Sequence, residues 1–240
     1  MKILIDDTYE AMSNRIANEV INIMSAAPNP LFCAASGDSP KGLYKELVQQ
    51  NNASSIDISN WHFLGLDEWI GLDASDEGSC RYMLNKDLFH PLHVKDEMIC
   101  CFNGKTTDAT KECDRIETFI QQQNGIDVAI LGLGMNGHIG LNEPGTSLLL
   151  RSHVSDIAET TKTIGQKYFS KPQTLTKGIT LGLATLMDAK HLFLIVSGEK
   201  KASILKQALQ HETTETIPAT LIRDHPGFVV YADKDAAKLL

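Results

Sequence analysis

A ten-residue stretch of the chain, 136–145, contains side chains that could carry out chemistry. It combines a histidine, a carboxylate and two amides with three glycines: Asn136, Gly137, His138, Gly140, Asn142, Glu143 and Gly145. Histidine and carboxylate side chains are the ones that most often move protons in enzymes. Glycine lets the backbone approach a ligand closely, which makes Gly137 a candidate binding residue. The alternative is a glycine-rich connecting loop in which His138 is only structural.

The residues before this stretch favour the first interpretation. Residues 126–134 are short, apolar and partly β-branched, and they follow the turn-forming pair Asn124-Gly125. This pattern predicts a buried strand. Strands of this kind in α/β proteins carry side chains to a crevice at their carboxyl ends. A pair such as His138 and Glu143 directly after one therefore indicates a ligand-binding or catalytic site.

Asp67 occupies a similar position at the end of another apolar run, residues 61–66, and is followed by Glu68 and Trp69. Bulky apolar neighbours should partly desolvate the Asp67 carboxyl group and raise its pKa toward that of a general base. The alternative is that Asp67 caps the following helix or turn. Glu68 should point to the opposite side, and we expect it to be structural.

The loop 36–40 is a candidate anion site, because it joins a predicted strand to a predicted helix whose N-cap would be Ser39. Free N–H groups and the helix dipole at such a terminus suit a phosphate monoester. The candidate binding residues are Ser36, Gly37, Asp38 and Ser39. An ordinary turn explains the sequence equally well, and the Asp38 carboxylate fits a phosphate only if it points away. The spacing matches neither a Walker A loop nor a dinucleotide fingerprint.

Two lysines are candidates to complete an anion site. Lys201 lies in the first turn of a helix that follows the predicted strand 191–196. A cation gains nothing from the helix dipole there, so a bound phosphate would explain it; a solvated surface lysine is the alternative. Lys162 lies in a polar stretch within residues 148–172, and such stretches can form lids.

Predicted strands and helices alternate along the chain, which indicates a mostly parallel sheet with helices on both faces. The fold class is α/β, with residues 1–240 forming a single Rossmann-like three-layer domain. The first helix should begin with a capping box made by Asp7 and Glu10. The next three helices are expected after Pro40 and over residues 79–89 and 110–123.

Composition excludes several classes of protein. A net charge of −8 argues against a nucleic-acid surface, and no apolar run is long enough to cross a membrane. Five cysteines, an odd number without metal-ligand spacing, predict free thiols in a reducing cytoplasm. The oligomeric state stays open, with a homo-oligomer among the alternatives.

These segments together resemble the glucosamine-6-phosphate deaminase/isomerase family, from about residue 31 to residue 233. The string from Asn136 to Pro144 is the most specific, and residues 36–40, 66–72, 178–182 and 217–220 also match. Residues 66–69 and 177–183 are most similar to the branch named galactosamine-6-phosphate isomerase. The resemblance implies a small-molecule partner, an amino-sugar 6-phosphate, which is converted to a ketose 6-phosphate with release of ammonia and without a metal or organic cofactor.

The resemblance also implies roles for individual residues. His138 would move the proton that opens the sugar ring, Glu143 would orient it, and Asp67 would remove the proton from C2. The loop 36–39 and Lys201 would bind the phosphate. Many family members have aspartate where this chain has Asn136, to which we assign a supporting role, and an arginine where we place Lys162.

Two other functions remain to be weighed. A sugar-phosphate lactonase of the 6-phosphogluconolactonase type has a similar fold, but Trp69 and the Asn142-Glu143-Pro144 sequence depart from its pattern. A non-catalytic sugar-phosphate sensor would need a DNA-binding domain, for which the roughly thirty residues before the phosphate loop are too few.

Overall fold

The computed structural model describes residues 1–240, and it is built around a seven-stranded sheet in which every pair of neighbouring strands is parallel. In spatial order the strands are β1 (Lys2–Asp6), β10 (Phe228–Asp233), β9 (His191–Val196), β6 (Val128–Gly132), β2 (Leu31–Ala34), β3 (His62–Gly65) and β5 (Ile99–Cys100). The predicted α/β class with a mostly parallel sheet is confirmed.

Helices cover both faces of this sheet, so its strands carry apolar side chains on both sides. Along β6, Val128 and Ile130 pack with helix α1 (Tyr9–Ala26) and helix α2 (Lys41–Asn52). The alternate residues of β6 pack into the opposite cluster with helix α4 (Ala109–Gln122) and helix α7 (Ala202–Gln210). This arrangement is the predicted three-layer architecture. The short helices are α3 (Cys80–Leu84), α5 (Glu159–Gly165), α6 (Leu183–Met187) and α8 (Lys234–Ala237).

A second, antiparallel sheet of three strands was not predicted. Its order is β4 (Asp67–Trp69), β8 (Lys177–Thr180) and β7 (His153–Asp156). Leu66 joins the two sheets, because its N–H donates to Ala34 of β2 while its C=O accepts from Leu181 after β8, each at 3.0 Å. Asp67 therefore starts a strand of the small sheet, whereas the sequence placed it at the end of a strand of the large one.

Two predicted helix caps are wrong. Helix α1 is capped by Thr8, whose Oγ1 accepts from the N–H of Ala11 at 3.2 Å, while Asp7 pairs with Lys234. Helix α2 begins at Lys41 with Pro40 as its cap residue, and Ser39 makes no capping hydrogen bond.

The other predicted helices are present with shifted limits. The helix expected over 79–89 is capped by Ser79 and divides into α3 and a π-helical turn, Asn85–Phe89. All five cysteines have free thiols, and no helix is long and apolar enough to span a membrane.

Candidate active site

A cleft of about 1470 Å³ lies where several strands of the large sheet end. Its walls come from the loops after β2, β6 and β9, from the start of β4, and from the segment 161–168. Seven predicted site residues line it: Ser36, Gly37, Asp38, Ser39, Asp67, His138 and Lys201. Residues that are up to 165 positions apart in the sequence therefore share one cavity, as expected at the carboxyl ends of parallel strands.

Local backbone geometry places the His138 ring against Gly134, at the end of the strand that precedes it. A Cβ atom at Gly134 would overlap the imidazole ring, so only glycine fits beneath it. The turn is closed by hydrogen bonds from the Gly134 N–H to the His138 C=O and from the Gly137 N–H to the Gly134 C=O, both 3.0 Å long. His138 keeps 19% of its side chain exposed, toward the cleft that it lines.

Asn136 connects His138 to Glu143. Its Nδ2 donates to Glu143 Oε2 at 2.8 Å, and because a carboxylate can only accept, this contact fixes the orientation of the amide. Asn136 Oδ1 then faces His138 Nδ1 at 2.7 Å and must accept from it. The ring proton of neutral His138 therefore lies on Nδ1, which leaves Nε2 with its lone pair as a proton acceptor. Glu143 itself is 3.6 Å from Nδ1.

The electrostatic surroundings keep His138 neutral near pH 7. Burial lowers the pKa of His138, the Glu143 carboxylate opposes that shift, and the charge of Lys201 adds to it. The result is a pKa below the ordinary value. Glu143 is buried, and its Oε1 has no hydrogen-bond partner. A negative charge is thus held close behind a neutral imidazole, where it would stabilise the imidazolium formed when His138 accepts a proton.

Asp67 lies on the other side of the same loop. A Cβ atom placed on Gly140 would be 3.4 Å from Asp67 Oδ2, so the His138 loop passes directly over the carboxylate. Asp67 is 9% exposed, and burial raises its pKa to about 6, against a hydrogen bond from Cys80. Desolvation of Asp67 is the condition that the sequence predicts for a general base.

Glu68 points away from the cleft and is structural, as predicted. Its carboxylate accepts the N–H groups of Trp69 at 2.8 Å, Cys80 at 2.9 Å and Arg81 at 2.9 Å. These bonds hold the start of helix α3 against β4. Two adjacent carboxylates therefore differ in function because alternate residues of a strand face opposite sides.

The anion side of the cleft contains two lysines. Lys201 Nζ donates to the C=O of Leu133, and burial together with the charge of Lys167 lowers the pKa of Lys201 to about 8. Lys167 lines the same cleft. The N–H groups of Gly37 and Ser39 make no hydrogen bond within the protein. Unpaired amides and two mutually repelling ammonium groups form a site that an anion would stabilise.

Asp38 is neutralised within this site. Its Oδ2 contacts Lys167 Nζ at 2.6 Å, and its Oδ1 contacts Lys41 Nζ at 2.8 Å. Burial raises its pKa, but the hydrogen bonds from the two lysines outweigh this and lower it. The carboxylate is thus directed at lysines, which removes the objection that the sequence raises against a phosphate at this loop.

Two predicted binding residues are not in the cleft. Lys162 pairs with Glu159 at 2.6 Å and does not line the cleft, so its contact with the phosphate stays a prediction. Gly137 uses its N–H in the turn to Gly134, and its C=O accepts from Ala219, so its N–H is not free for a ligand. Asn136 and Glu143 lie behind His138 and do not line the cleft.

Sequence reasoning missed further cleft residues, among them Tyr9, Thr161 and Lys167. Lys167 belongs to the polar stretch that predicted a lid, but only the path of helix α5 determines which of its lysines turns inward. Thr161 Oγ1 lies 3.1 Å from His138 Nδ1. No local pattern predicts that contact, because the two residues are 23 positions apart.

No group of three or more histidine, cysteine, aspartate or glutamate side chains is arranged to hold a metal ion. The polar groups of the cleft thus consist of one imidazole, the carboxylates of Asp67, Asp38 and Glu199, several lysines, hydroxyl groups and backbone N–H groups.

The fold and the cleft define a class of protein in which an acid/base site adjoins an anion site at the ends of a parallel sheet. The family described as glucosamine-6-phosphate isomerases/6-phosphogluconolactonase matches residues 5–231, and the chain belongs to that family. The protein named glucosamine-6-phosphate deaminase from Clostridium perfringens (strain 13 / Type A) is 36% identical over 241 residues, which cover 100% of both chains. One of the same name from Thermoanaerobacter pseudethanolicus is 36% identical and covers 100% of this chain and 95% of its own.

Solved structures agree with this assignment. A structure described as a monomeric glucosamine-6-phosphate deaminase superposes with a TM-score of 0.96 at 31% identity and covers 100% of both chains. A 6-phosphogluconolactonase from Trypanosoma brucei superposes with a TM-score of 0.77 at 20% identity, covering 100% of this chain and 98% of its own. The second likeness establishes the fold alone.

Proposed function

We propose that this protein is an amino-sugar 6-phosphate deaminase that converts glucosamine 6-phosphate to fructose 6-phosphate and ammonia. The observation that carries the proposal is that one cleft has both an acid/base side and an anion side. A buried carboxylate, Asp67, lies under the loop of a neutral histidine, while two lysines and free N–H groups line the anion side. The relatives named glucosamine-6-phosphate deaminase support the same substrate.

The proposed reaction begins with opening of the sugar ring. Nε2 of neutral His138 takes the proton of the C1 hydroxyl and returns it to the ring oxygen as the C1–O5 bond breaks, which leaves an aldehyde at C1. The imidazolium formed in between is stabilised through Asn136 by the Glu143 carboxylate. We assign Glu143 and Asn136 as positioning residues because they contact His138 and not the cleft.

Asp67 then acts at C2. Its carboxylate removes the C2 proton, the electron pair forms the C1–C2 double bond, and O1 takes up a proton from the ammonium group on C2, which gives a neutral enolamine. The same proton returns from Asp67 to C1, so that C2 becomes an iminium carbon. Water adds to C2, and the C2–N bond then breaks. Ammonia departs, and a ketone remains at C2. Each step is a proton transfer or an addition that side chains and water can perform, so we propose that neither a metal nor an organic cofactor takes part.

The phosphate would be held at the anion side. Ser36, Gly37 and Ser39 offer hydroxyl and N–H donors, Lys201 and Lys167 offer charge, and Asp38 releases Lys167 when a stronger anion competes for it. Lys167 would bind the phosphate in the way that the sequence predicts for Lys162, where many family members have an arginine. We also propose residues 148–172 as the lid of a single domain, since this segment contributes Thr161, Lys167 and Tyr168 to the cleft.

The test is ammonia release from glucosamine 6-phosphate, galactosamine 6-phosphate and their N-acetyl forms, measured side by side in the presence of EDTA. We expect release from glucosamine 6-phosphate, none from the N-acetyl forms, and none in the Asp67→Asn variant. Galactosamine 6-phosphate is included because residues 66–69 and 177–183 resemble the galactosamine branch. Turnover equal to or faster than that of glucosamine 6-phosphate would make the galacto epimer a substrate as well.

Two results would contradict the proposal. Hydrolysis of 6-phosphogluconolactone without ammonia release from any amino sugar would assign the protein to the lactonases. Tight binding of glucosamine 6-phosphate without turnover would indicate a sensor.

A further inference from the structure

The helical segment 161–168 contacts both the histidine and the anion side of the cleft. Helix α5 continues directly into a single 3-10 turn, Gln166–Tyr168, without a break. At its start Thr161 Oγ1 lies 3.1 Å from His138 Nδ1, and at its end Lys167 Nζ lies 2.6 Å from Asp38 Oδ2. Six residues of helix separate the two contacts, roughly 9 Å along its axis.

The contact at Thr161 is special for His138. Every other hydrogen bond of the ring stays within its own loop, whereas Thr161 comes from a different element. Because the Nδ1 proton is donated toward Asn136, the Thr161 oxygen can only accept a share of it, and its own hydroxyl proton remains free for a ligand. Thr161 is 6% exposed and lines the cleft. It therefore lies next to both the imidazole ring and the space for a ligand.

The contact at Lys167 is exchangeable. Asp38 already has a second cation, Lys41, at 2.8 Å, so it remains paired when Lys167 leaves it. Lys167 is about half exposed and faces the cleft, so a phosphate dianion would compete with Asp38 for its ammonium group. The next residue, Tyr168, also contacts the phosphate loop, because a Cβ atom on Gly37 would lie 3.0 Å from its hydroxyl oxygen.

The middle of the segment provides the support that a rigid connection needs. Gly165 packs against the Trp69 indole ring and against Leu175, and both of these side chains are buried. The stretch of helix between Lys167 and Thr161 is therefore short and packed against buried side chains.

On the basis of the proposed deaminase function, we propose that Thr161 is a positioning residue that couples phosphate binding to His138. When the phosphate of an amino-sugar phosphate takes Lys167 from Asp38, the segment 161–168 settles over the cleft and Thr161 fixes the imidazole in line with the ring oxygen. Binding energy of the phosphate, which is remote from C1 and C2, is then used to orient the acid/base group.

The experiment compares Thr161→Val, which removes the hydroxyl at nearly constant shape, with Thr161→Ser, which keeps it. Thr163→Val is the matched control, because Thr163 is exposed on the same helix. Each is assayed with glucosamine 6-phosphate, and with unphosphorylated glucosamine in the presence and absence of phosphite dianion. Thermal unfolding confirms that all variants are folded.

We expect Thr161→Val to lower kcat for glucosamine 6-phosphate about 10- to 100-fold with little change in KM. Phosphite should accelerate turnover of glucosamine by the wild type, Thr161→Ser and Thr163→Val, and should not accelerate Thr161→Val. Wild-type kcat in Thr161→Val, or a wild type that phosphite does not activate, would overturn the coupling while leaving the deaminase function intact. A wild type that releases no ammonia from any amino-sugar phosphate would overturn both.

Discussion

Burial of Asp67 suits its carboxyl group to act as a base and at the same time destabilises the folded protein. The carboxyl group needs a raised pKa to be an effective base, and the protein achieves this by excluding water from it. The same exclusion disfavours the ionised form in the folded state. Since the pKa rises from 3.8 to about 6, ionised Asp67 costs the fold at most about 3 kcal/mol at neutral pH.

We therefore expect Asp67→Asn to inactivate the protein and to stabilise it. Loss of the base should lower kcat about 10²–10⁴-fold or more. The cost of ionisation is absent below pH 3.8, develops between pH 3.8 and about 6, and is complete above that. The variant should thus melt at a higher temperature than the wild type at pH 8, and the difference should shrink as the pH falls through 6. Equal melting temperatures at pH 8 would show that Asp67 is not desolvated.

Titration of Lys201 should determine how KM changes at basic pH. Its lowered pKa, about 8, means that the ammonium charge which would hold the phosphate is lost as the pH rises through that value. We expect KM for glucosamine 6-phosphate to rise above pH 8 in the wild type. Lys201→Ala should raise KM at every pH much more than it lowers kcat, because phosphate binding is shared by ground and transition states.

The control for this prediction is Lys201→Arg, whose charge persists at high pH. Ionisations of the substrate are common to both proteins, so the difference between their profiles isolates Lys201. If both lose affinity at the same pH, the titrating group lies elsewhere.

Asn136 connects the His138 ring to the Glu143 carboxylate. Replacing it by aspartate exchanges the donor that faces Glu143 for a second carboxylate, next to His138 Nδ1. We expect Asn136→Asp to keep activity and to raise the pKa of His138, because an added negative charge favours imidazolium. NMR titration of the ring measures that pKa. A value at or below that of the wild type would mean that the two carboxylates share a proton and add no charge.

At the scale of elements, Tyr9 shows how one helix prepares the phosphate loop of another. Its hydroxyl accepts from the N–H of Gly42 at 2.7 Å and donates to the C=O of Ser39 at 2.9 Å. Tyr9, in the first turn of α1, thus satisfies an N–H at the start of α2 that a side chain of its own loop would ordinarily satisfy. The Ser39 hydroxyl is left free for a ligand.

We expect Tyr9→Phe to loosen the phosphate loop. The lost hydrogen bonds should cost about 1 kcal/mol of stability and raise both KM and the inhibition constant of inorganic phosphate. Tyr82→Phe is the matched control, since its hydroxyl makes no hydrogen bond. An unchanged phosphate inhibition constant in Tyr9→Phe would separate this contact from ligand binding.

Elements were predictable where one local signal dominates. The apolar runs fix β2, β6 and β9, and the glycines around His138 fix the loop that follows β6. The caps at Asp7 and Ser39 were mispredicted because several neighbouring polar side chains compete for the same N–H groups. Strand β7 and the inward turn of Lys167 depend on pairing with β8 and on packing against Trp69, which no window of sequence contains.

At the scale of the whole molecule, net charge and local charge have opposite signs. The chain carries −8 overall, yet Lys41, Lys167 and Lys201 lie together around the anion side of the cleft. Acidic side chains elsewhere set the overall sign, while the lysines give this side of the cleft a local positive charge. All proposed site residues belong to one chain, and a related solved structure is described as monomeric.

The two sheets should unfold together. Leu66 is hydrogen-bonded to both, and Ile179 of the small sheet is buried in the same apolar cluster as strands of the large one. We expect one calorimetric transition whose van't Hoff and calorimetric enthalpies agree, with circular dichroism and Trp69 or Trp61 fluorescence changing at the same temperature. Two separate transitions would show that residues 1–240 are not a single domain.

The chain passes from one sheet to the other at Leu66. This also separates phosphate binding from proton removal at C2. Most groups that would bind the phosphate follow β2 and β9 of the large sheet, with Lys167 as the exception, whereas the base lies on β4 of the small sheet. Substitutions that tilt β4 can change the rate at C2 without disturbing affinity, and changes in the loops after β2 and β9 can do the reverse. The catalysed reaction can therefore change during evolution while the binding of phosphorylated sugars is kept. Deaminase and lactonase names on one shared fold are what such divergence would produce.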